Sequence, residues 1–359
     1  MTELLADHTT LRLGGPAARW VEATPTDELV GAVADADAAG EPVLLLSGGS
    51  NLLVADAGFD GVVVHVATRG IYSDGGSYCE FDIDSDGQGD DPAACGGVLV
   101  EVAAGEPWDD FVAYAVANEL VGIEALSGIP GAVGSTPIQN VGAYGQEVSQ
   151  TVWSVRTWDR TTRAFKTFAN VDCAFAYRYS RFKADPGRYV VVSVTFQFTQ
   201  GDMSAPVRYA ELARRLGVDV GRRAPLTAVR ETVLQLRRGK GMVLDPADHD
   251  TWSAGSFFTN PVLDAEVAAR LPHDAPRFPS PDGRVKSSAA WLIEHAGFSK
   301  GYGRPPATLS TKHTLALTNR GGARASDIVA LAREVREGVR SRFGVTLVPE
   351  PVLVGVSLD

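Results

Sequence analysis

The sequence predicts an α+β protein of two to three domains, and three observations carry that expectation. Its 359 residues are more than twice the roughly 150 of an average domain. Strand and helix signals alternate through the first seventy residues, as in a small α/β unit. Separate period-two strands and a long period-3.6 helix then fill the middle and the end of the chain. With 45% hydrophobic and 21% charged residues, the chain can bury cores of its own.

Each element has a local cause. Thr24-Pro25-Thr26-Asp27 opens the first helix, with Pro25 suited to its first position and Asp27 reaching back to a free amide. Leu29, Val33 and Ala36 give that helix an apolar face, and Gly40 ends it. Residues 42–46 read as a buried strand, 52–54 as a second apolar run and 62–66 as another strand. A strand over 98–104 leads into a helix from Pro107 to about Leu120, with Phe111, Ala115 and Val116 inward. Strands follow at 152–158, 164–168 and 189–198, the last alternating Val190, Val192, Val194 and Phe196. An Arg-rich helix covers 226–238. The final third holds a helix at 288–296, a strand at 314–318 and an amphipathic helix over 326–343. In that helix Ile328, Leu331, Val335, Val339 and Phe343 recur at three-to-four spacing. Gly344 caps it, and 346–354 closes the chain as a strand.

Lys and Arg number 33 against 44 Asp and Glu, a net charge of −11 that repels duplex DNA and anionic membranes at long range. No apolar run approaches the roughly 18 residues of a membrane span. Glu3, Asp7 and Arg12 interrupt the N-terminal stretch where a signal peptide would be apolar. A cytoplasmic protein with no nucleic-acid or membrane partner is expected. Cys79, Cys95 and Cys173 form neither a disulfide framework nor a metal-ligand spacing. Much of the charge is local, because 73–97 holds seven acids and no Lys or Arg and reads as an exposed, flexible insertion between strands. Within it Asp82-Ile83-Asp84-Ser85-Asp86-Gly87 matches the first half of an EF-hand loop. The twelfth position is Ala93, where that loop needs a bidentate Glu, so no metal site is expected. Cys79 and Cys95 share the stretch, and a reduced pair is the default in the cytoplasm.

Four stretches and two single residues carry candidate chemistry. Ser47-Gly48-Gly49-Ser50-Asn51 follows a buried strand, so its amides and hydroxyls could meet phosphate oxygens, although a plain tight turn explains it equally well. A second Gly-rich run, 128–145, is long for a purely structural loop in a compact domain. Two such loops suggest an extended, phosphate-bearing cofactor gripped between them. Tyr177-Arg178-Tyr179-Ser180-Arg181-Phe182-Lys183 could clamp a carboxylate or phosphate, or be a solvated strand end with ordinary ion pairs. Arg237, Arg238 and Lys240 form a second basic group. Ser256 could donate a proton or merely cap a turn, and no G-x-S-x-G elbow marks it as a hydrolase nucleophile. Glu350, between Pro349 and Pro351 in an apolar strand, is costly to bury without a partner or a task.

The strings SGGSNLLV (47–54), GIPGAVGSTPIQNVGAYG (128–145), YRYSRFK (177–183), AGSFFTNP (254–261), WLIEHAGFSKGYG (291–303) and PEPVLVG (349–355) stand in this order across nearly the whole chain. Together they resemble the UDP-N-acetylenolpyruvoylglucosamine reductase family. The resemblance implies a three-domain flavoprotein with a vanillyl-alcohol-oxidase-like pair of FAD-binding α/β domains and a C-terminal substrate-binding α+β domain. The domains would be 1–68 joined by 344–359, then 69–241, then 242–343. Non-covalent FAD would lie between the first two, held by Ser47, Gly48, Gly49, Ser50, Asn51, Leu52, Gly128, Pro130, Gly134, Ser135, Ile138, Gly142 and Tyr144. NADPH would pass hydride to flavin N5 and leave, and the methylene carbon of the UDP-sugar enolpyruvate would then accept it. A monomer serving peptidoglycan synthesis is implied.

By the same resemblance, Arg178 faces the charge that grows on the conjugated carboxylate, and Ser256 protonates the α-carbon. Glu350 would polarise the developing enol, with its pKa raised by burial. Tyr209, Arg237, Lys240 and Asn260 match positions that hold the UDP-sugar. Tyr209 and the stretch 262–286 resemble the longer class of the family, which closes over its substrate. The departures are the acidic insertion and Ser47, which stands where a third glycine is common. Two rivals remain. An oxygen-using oxidase of the same FAD fold would often tether flavin through a His or Cys, and 47–51 and 128–145 contain neither. A non-catalytic nucleotide-binding module is disfavoured by Arg178, Ser256 and Glu350 standing together in one chain.

Overall fold

The computed structural model describes residues 3–73, 97–280 and 282–359. The EF-hand-like run and the Cys79/Cys95 pair lie outside them. The chain divides into two compact units, one of residues 20–47 and 62–236, the other of 1–19, 48–61 and 237–359.

The first unit is built on an antiparallel sheet in the order Ala164–Ala169, Val152–Asp159, Tyr189–Gln200, Val98–Ala103, Ile71–Ser73, with Leu120–Val121 paired to the far end of the central strand. Tyr189–Gln200 departs from simple alternation, since Val190 to Val194 are all buried and only from half-buried Thr195 onward do buried Phe196 and Phe198 alternate with exposed Gln197 and Thr199. A strand with neighbours on both sides and cover on both faces loses its polar side. Helix Trp108–Ala117 supplies cover, and Phe111 meets Phe196 at 5.0 Å and Phe198 at 6.1 Å between ring centroids. Strands Ile71–Ser73 and Val98–Ala103, which flank residues 74–96, pair antiparallel from Ile71↔Val102 to Ser73↔Val100. The same core takes in Val62 and Val64 and the face Leu29, Val33, Ala36 of helix Thr26–Ala39. That helix starts as expected, but Glu28 rather than Asp27 reaches back, accepting the Thr24 N–H at 3.2 Å. Pro25 is its N-cap rather than its first helical residue.

In the second unit, helix Ala325–Phe343 buries Ile328, Leu331, Val335 and Val339 with Leu292 and Ile293 of helix Ala289–His295. Phe343 stays at the edge, 5.7 Å from Trp291. Gly344 ends the helix at φ 68. Two expected strands come out shorter. The one expected at 314–318 is Leu317–Asn319, because the Ser310 hydroxyl takes the N–H groups of Lys312 and His313 and turns the chain before it. The one expected at 346–354 is Val352–Val354, since Pro349 and Pro351 remove two ladder donors. It lies parallel to Leu52–Val54. Among the described residues, no helix is long and apolar enough to cross a membrane, and no His/Cys/Asp/Glu group could hold a metal.

Candidate active site

In the first unit the long Gly-rich run and the YRYSRFK segment meet. Ala176 and Tyr179 exchange both backbone hydrogen bonds, so Tyr177-Arg178 forms a two-residue turn with Arg178 at φ 52, a region that residues with a side chain rarely adopt. From there Arg178 Nη2 donates to the Gly142 carbonyl at 2.8 Å and Nη1 to the Asn140 carbonyl at 3.4 Å. Gly142 allows this approach, because a Cβ there would lie 2.8 Å from Glu147 Cγ and 3.4 Å from Arg178 Nη1. The segment is not one clamp. Phe182 turns into the core against Phe168, Ser180 caps the helix Arg181–Ala184 and donates to the Ile138 carbonyl, and Arg181 donates to the Asp172 carbonyl. Arg178 is fixed against the Gly-rich run by its side chain.

The rest of that run is anchored from behind. The Gly128 N–H donates to Asp109 Oδ1 at 2.6 Å, and the same carboxylate holds Arg230 in a forked pair at 2.7 and 3.0 Å. Gly134 donates to the Ala104 carbonyl, Ser135 Oγ to the Ala132 carbonyl, and Ile138 is 38% exposed. Pro130 is half-buried. Tyr144, at φ 50, meets Tyr209 edge-on with ring centroids 5.3 Å apart. A residue expected at the cofactor thus touches one expected at the substrate. Ser47, the last residue of this unit before the other takes over, is half-buried.

In the second unit backbone hydrogen bonds join the segment that carries Ser256 to the segment that carries Glu350. Glu350 N–H donates to the Phe257 carbonyl at 2.9 Å and Thr259 N–H to the Val348 carbonyl at 3.0 Å. On the other side Asn51 Nδ2 donates to the Glu350 carbonyl at 3.3 Å, and Leu52 pairs with Val352. Phe257 and Phe258 are buried and pin the Ser256 segment from below. Ser256 and Glu350 are both half-buried, so Glu350 is not enclosed as expected; its N–H, between two prolines that have none to donate, is held by the Phe257 carbonyl. Asn260 spends its Oδ1 on the Ala289 N–H at the start of helix Ala289–His295. Arg237 Nη2 donates to the Met242 carbonyl, closing the turn in which half-buried Lys240 sits. Lys240 and Lys300 both act on His313, whose pKa burial first and then these two cations push down to about 4.

The donor set at 48–50 suits an anionic group. Gly49 lies at φ 56, and a Cβ there would be 1.9 Å from the His8 carbonyl oxygen, so only glycine fits. The N–H groups of Gly48, Gly49 and Ser50 are taken by no backbone carbonyl among the described residues. Successive amides of this kind are what a phosphate-bearing cofactor needs. Sequence reasoning missed Asp109, Glu124, Asn140 and His313. Asn140 had a signal, φ 47 inside a Gly-rich run being a common asparagine role; the others are single residues with no motif around them.

A model of the FAD binding domain matches residues 17–167. Fold and site thus define an FAD-binding oxidoreductase. A model of the UDP-N-acetylenolpyruvoylglucosamine reductase C-terminal domain matches 245–354. Relatives of that name from Cutibacterium acnes and Streptomyces coelicolor are 57% and 56% identical, each over 99% of this chain and 90% of the relative. The chain belongs to the UDP-N-acetylenolpyruvoylglucosamine reductase family. The crystal structure of that reductase from Thermus caldophilus superposes with a TM-score of 0.63 at 24% identity, covering 99% of this chain and 98% of the other, which shows a shared fold.

Proposed function

We propose that this protein reduces the enolpyruvyl ether of UDP-N-acetylglucosamine to UDP-N-acetylmuramate, a peptidoglycan precursor, with NADPH as electron source. FAD, when bound, supplies two-electron hydride chemistry; the residues proposed to hold it are Gly48, Gly49, Ser50 and Asn51 with the Gly128–Tyr144 stretch. The chain's own groups answer the charges that this reduction creates. Negative charge grows on the substrate's conjugated carboxylate, and Arg178 is the forked cation for it, already held at its turn by the Gly142 carbonyl. The α-carbon must gain a proton, and Ser256 Oγ is its source. A hydroxyl is a weak acid, so it serves only a strongly basic carbanionic centre. Glu350, next in the ladder to Phe257, orients the hydrogen bonds around that centre. Lys240 faces the substrate's diphosphate, with Tyr209, Arg237 and Asn260 as further substrate contacts. The same proposal divides the chain by role into 1–68 with 344–359, 69–241 and 242–343, and makes it a cytoplasmic monomer.

The observation that supports this reading is the pair of backbone hydrogen bonds between the Ser256 segment and the Glu350 segment, because an acid and a carboxylate on adjoining segments of one unit suit proton delivery better than a turn cap does. Ser256→Ala tests it. Rapid mixing with NADPH should still bleach the flavin absorbance, whereas later addition of the enolpyruvyl sugar nucleotide should not restore it. Normal restoration removes Ser256 from the role. Fast wild-type turnover with oxygen alone would sink the reductase reading as a whole.

A further inference from the structure

Glu124 is a carboxylate with no exposed surface that the chemistry above does not use. Among the described residues, its oxygens accept only from neutral donors. Oε2 takes the Gly122 N–H at 2.7 Å, while Oε1 takes Gln146 Nε2 at 2.8 Å and the Ala205 N–H at 2.9 Å. Gln146 answers with its Oε1 on the Ala125 N–H at 2.7 Å. A buried carboxylate without a cation beside it is expensive to keep, and such groups are better explained by the geometry they impose than by stability. The geometry here is specific. The three donors lie on three segments: the turn at Gly122, the hairpin Gly142–Ala143/Gln146–Glu147, and the stretch from Ser204 to Tyr209. The hairpin carries the Gly142 carbonyl that receives Arg178, and Tyr144 at its tip. The third segment ends at Tyr209, which begins helix Ala210–Leu216. Tyr144 and Tyr209 are the pair in edge-on contact.

We propose that Glu124 is a positioning residue: by tying the Gln146 hairpin and the Ala205 segment to one carboxylate, it fixes Tyr144 against Tyr209 and thereby sets the affinity for the sugar-nucleotide substrate. The last step rests on the function proposed above. Glu124 touches neither cofactor nor substrate and acts through the two rings.

Two variants differ in the ties they keep. Glu124→Gln can turn its carbonyl toward Gln146 and Ala205 and lose only the Gly122 bond. Glu124→Leu has similar volume and loses all three. KM for the enolpyruvyl sugar nucleotide should rise about tenfold in Glu124→Leu and stay within about threefold in Glu124→Gln, with kcat within about twofold in both. In a Tyr144→Ala/Tyr209→Ala background, Glu124→Leu should add nothing further to KM. A full additional rise there, or an unchanged KM in the otherwise wild-type chain, overturns the proposal. Should Glu124→Leu not give folded protein, Gln146→Leu cuts the hairpin tie alone and carries the same expectations. Hydrogen exchange at the Ala205 amide provides a readout independent of activity, and should quicken at least tenfold in Glu124→Leu; unchanged protection overturns the tie. If the wild-type protein does not reduce the enolpyruvyl sugar nucleotide, the functional reading fails, while the exchange measurement still decides whether Glu124 joins the segments.

Discussion

Arg178 sits where most side chains avoid, at φ 52 in the second position of a tight turn, a place that usually goes to glycine. Such strain, of order 1 kcal/mol, persists where surrounding contacts hold it, here the carbonyls of Asn140 and Gly142 on the fork and Lys183 Nζ on the Arg178 carbonyl at 3.0 Å. A lysine keeps the charge yet cannot donate to two carbonyls and still present a fork to a carboxylate. Arg178→Lys should therefore lower kcat/KM for the enolpyruvyl substrate by roughly 10²-fold, about 3 kcal/mol at 1.4 kcal/mol per factor of ten. Steady-state rates would show it, and the flavin content of the purified variant should match wild type. A variant with near-normal kcat/KM would remove Arg178 from the reaction. Arg178, Ser256 and Glu350 stand out as candidates in the sequence because each lies inside a string with a chemical reason for its residue types. Glu124 and Asp109 were not, because their partners are backbone amides or a side chain far along the chain, and nothing in a local pattern marks them. His313 was likewise invisible: burial and two lysines from distant stretches lower its pKa, and no local pattern marks them.

At the scale of elements, the long helices were the most legible, since one apolar face at three-to-four spacing leaves few alternatives; Ala325–Phe343 begins one residue before its expected start. Short strands were less so, because one hydroxyl at Ser310 or two prolines around Glu350 can end a ladder that hydropathy alone would continue. The hairpin Val152–Asp159/Ala164–Ala169 shows how such an element is finished by polar groups. Asp159, 1% exposed, accepts Arg188 at 2.9 and 3.1 Å and the N–H groups of Thr161 and Thr162 at the turn. Arg188 first, and those amides, hold its pKa at about 2, below the ordinary 3.8. A carboxylate depressed in the folded state stabilises it above the unfolded pKa, and that contribution disappears as pH falls from about 4 to about 2. Asp159→Asn should cost about 1 kcal/mol at neutral pH, Arg188 being partly exposed and screened, and should flatten the acid limb of the stability curve over that window. His313 acts higher. Its pKa is depressed to about 4 from 6.5, so the unfolded chain binds a proton that the folded chain refuses. Stability should decline as pH drops from about 6.5 toward 4, and His313→Gln should remove that slope. Urea midpoints measured from pH 7 to pH 2 separate the two steps, and coincident curves for wild type and His313→Gln above pH 4 would refute the second.

For the whole molecule, the net charge of −11 is mostly the property of one segment. Seven acids and no Lys or Arg fall within 74–96, so the remainder carries −11 + 7 = −4. The rest of the chain is only mildly acidic and keeps the basic residues Arg178, Arg237, Arg238 and Lys240, among them those proposed to meet an anionic substrate. The segment enters between two strands already paired as far as Ser73↔Val100. Continuing that register, two added residues would face Leu99 and Val98, and an asparagine before Gly97 would complete an Asn-Gly turn of the type that two-residue hairpins favour. Replacing 74–96 by Thr-Thr-Asn should therefore close the sheet edge without moving the central strand or the Gly-rich run. The shortened protein should bind FAD as wild type does, keep kcat/KM within about twofold, and elute much earlier from an anion exchanger because most of its net charge is gone. Loss of flavin or of turnover in a folded, shortened chain would mean that the acidic segment takes part in the reaction, and that the likeness to relatives over the rest of the chain understates what this one needs.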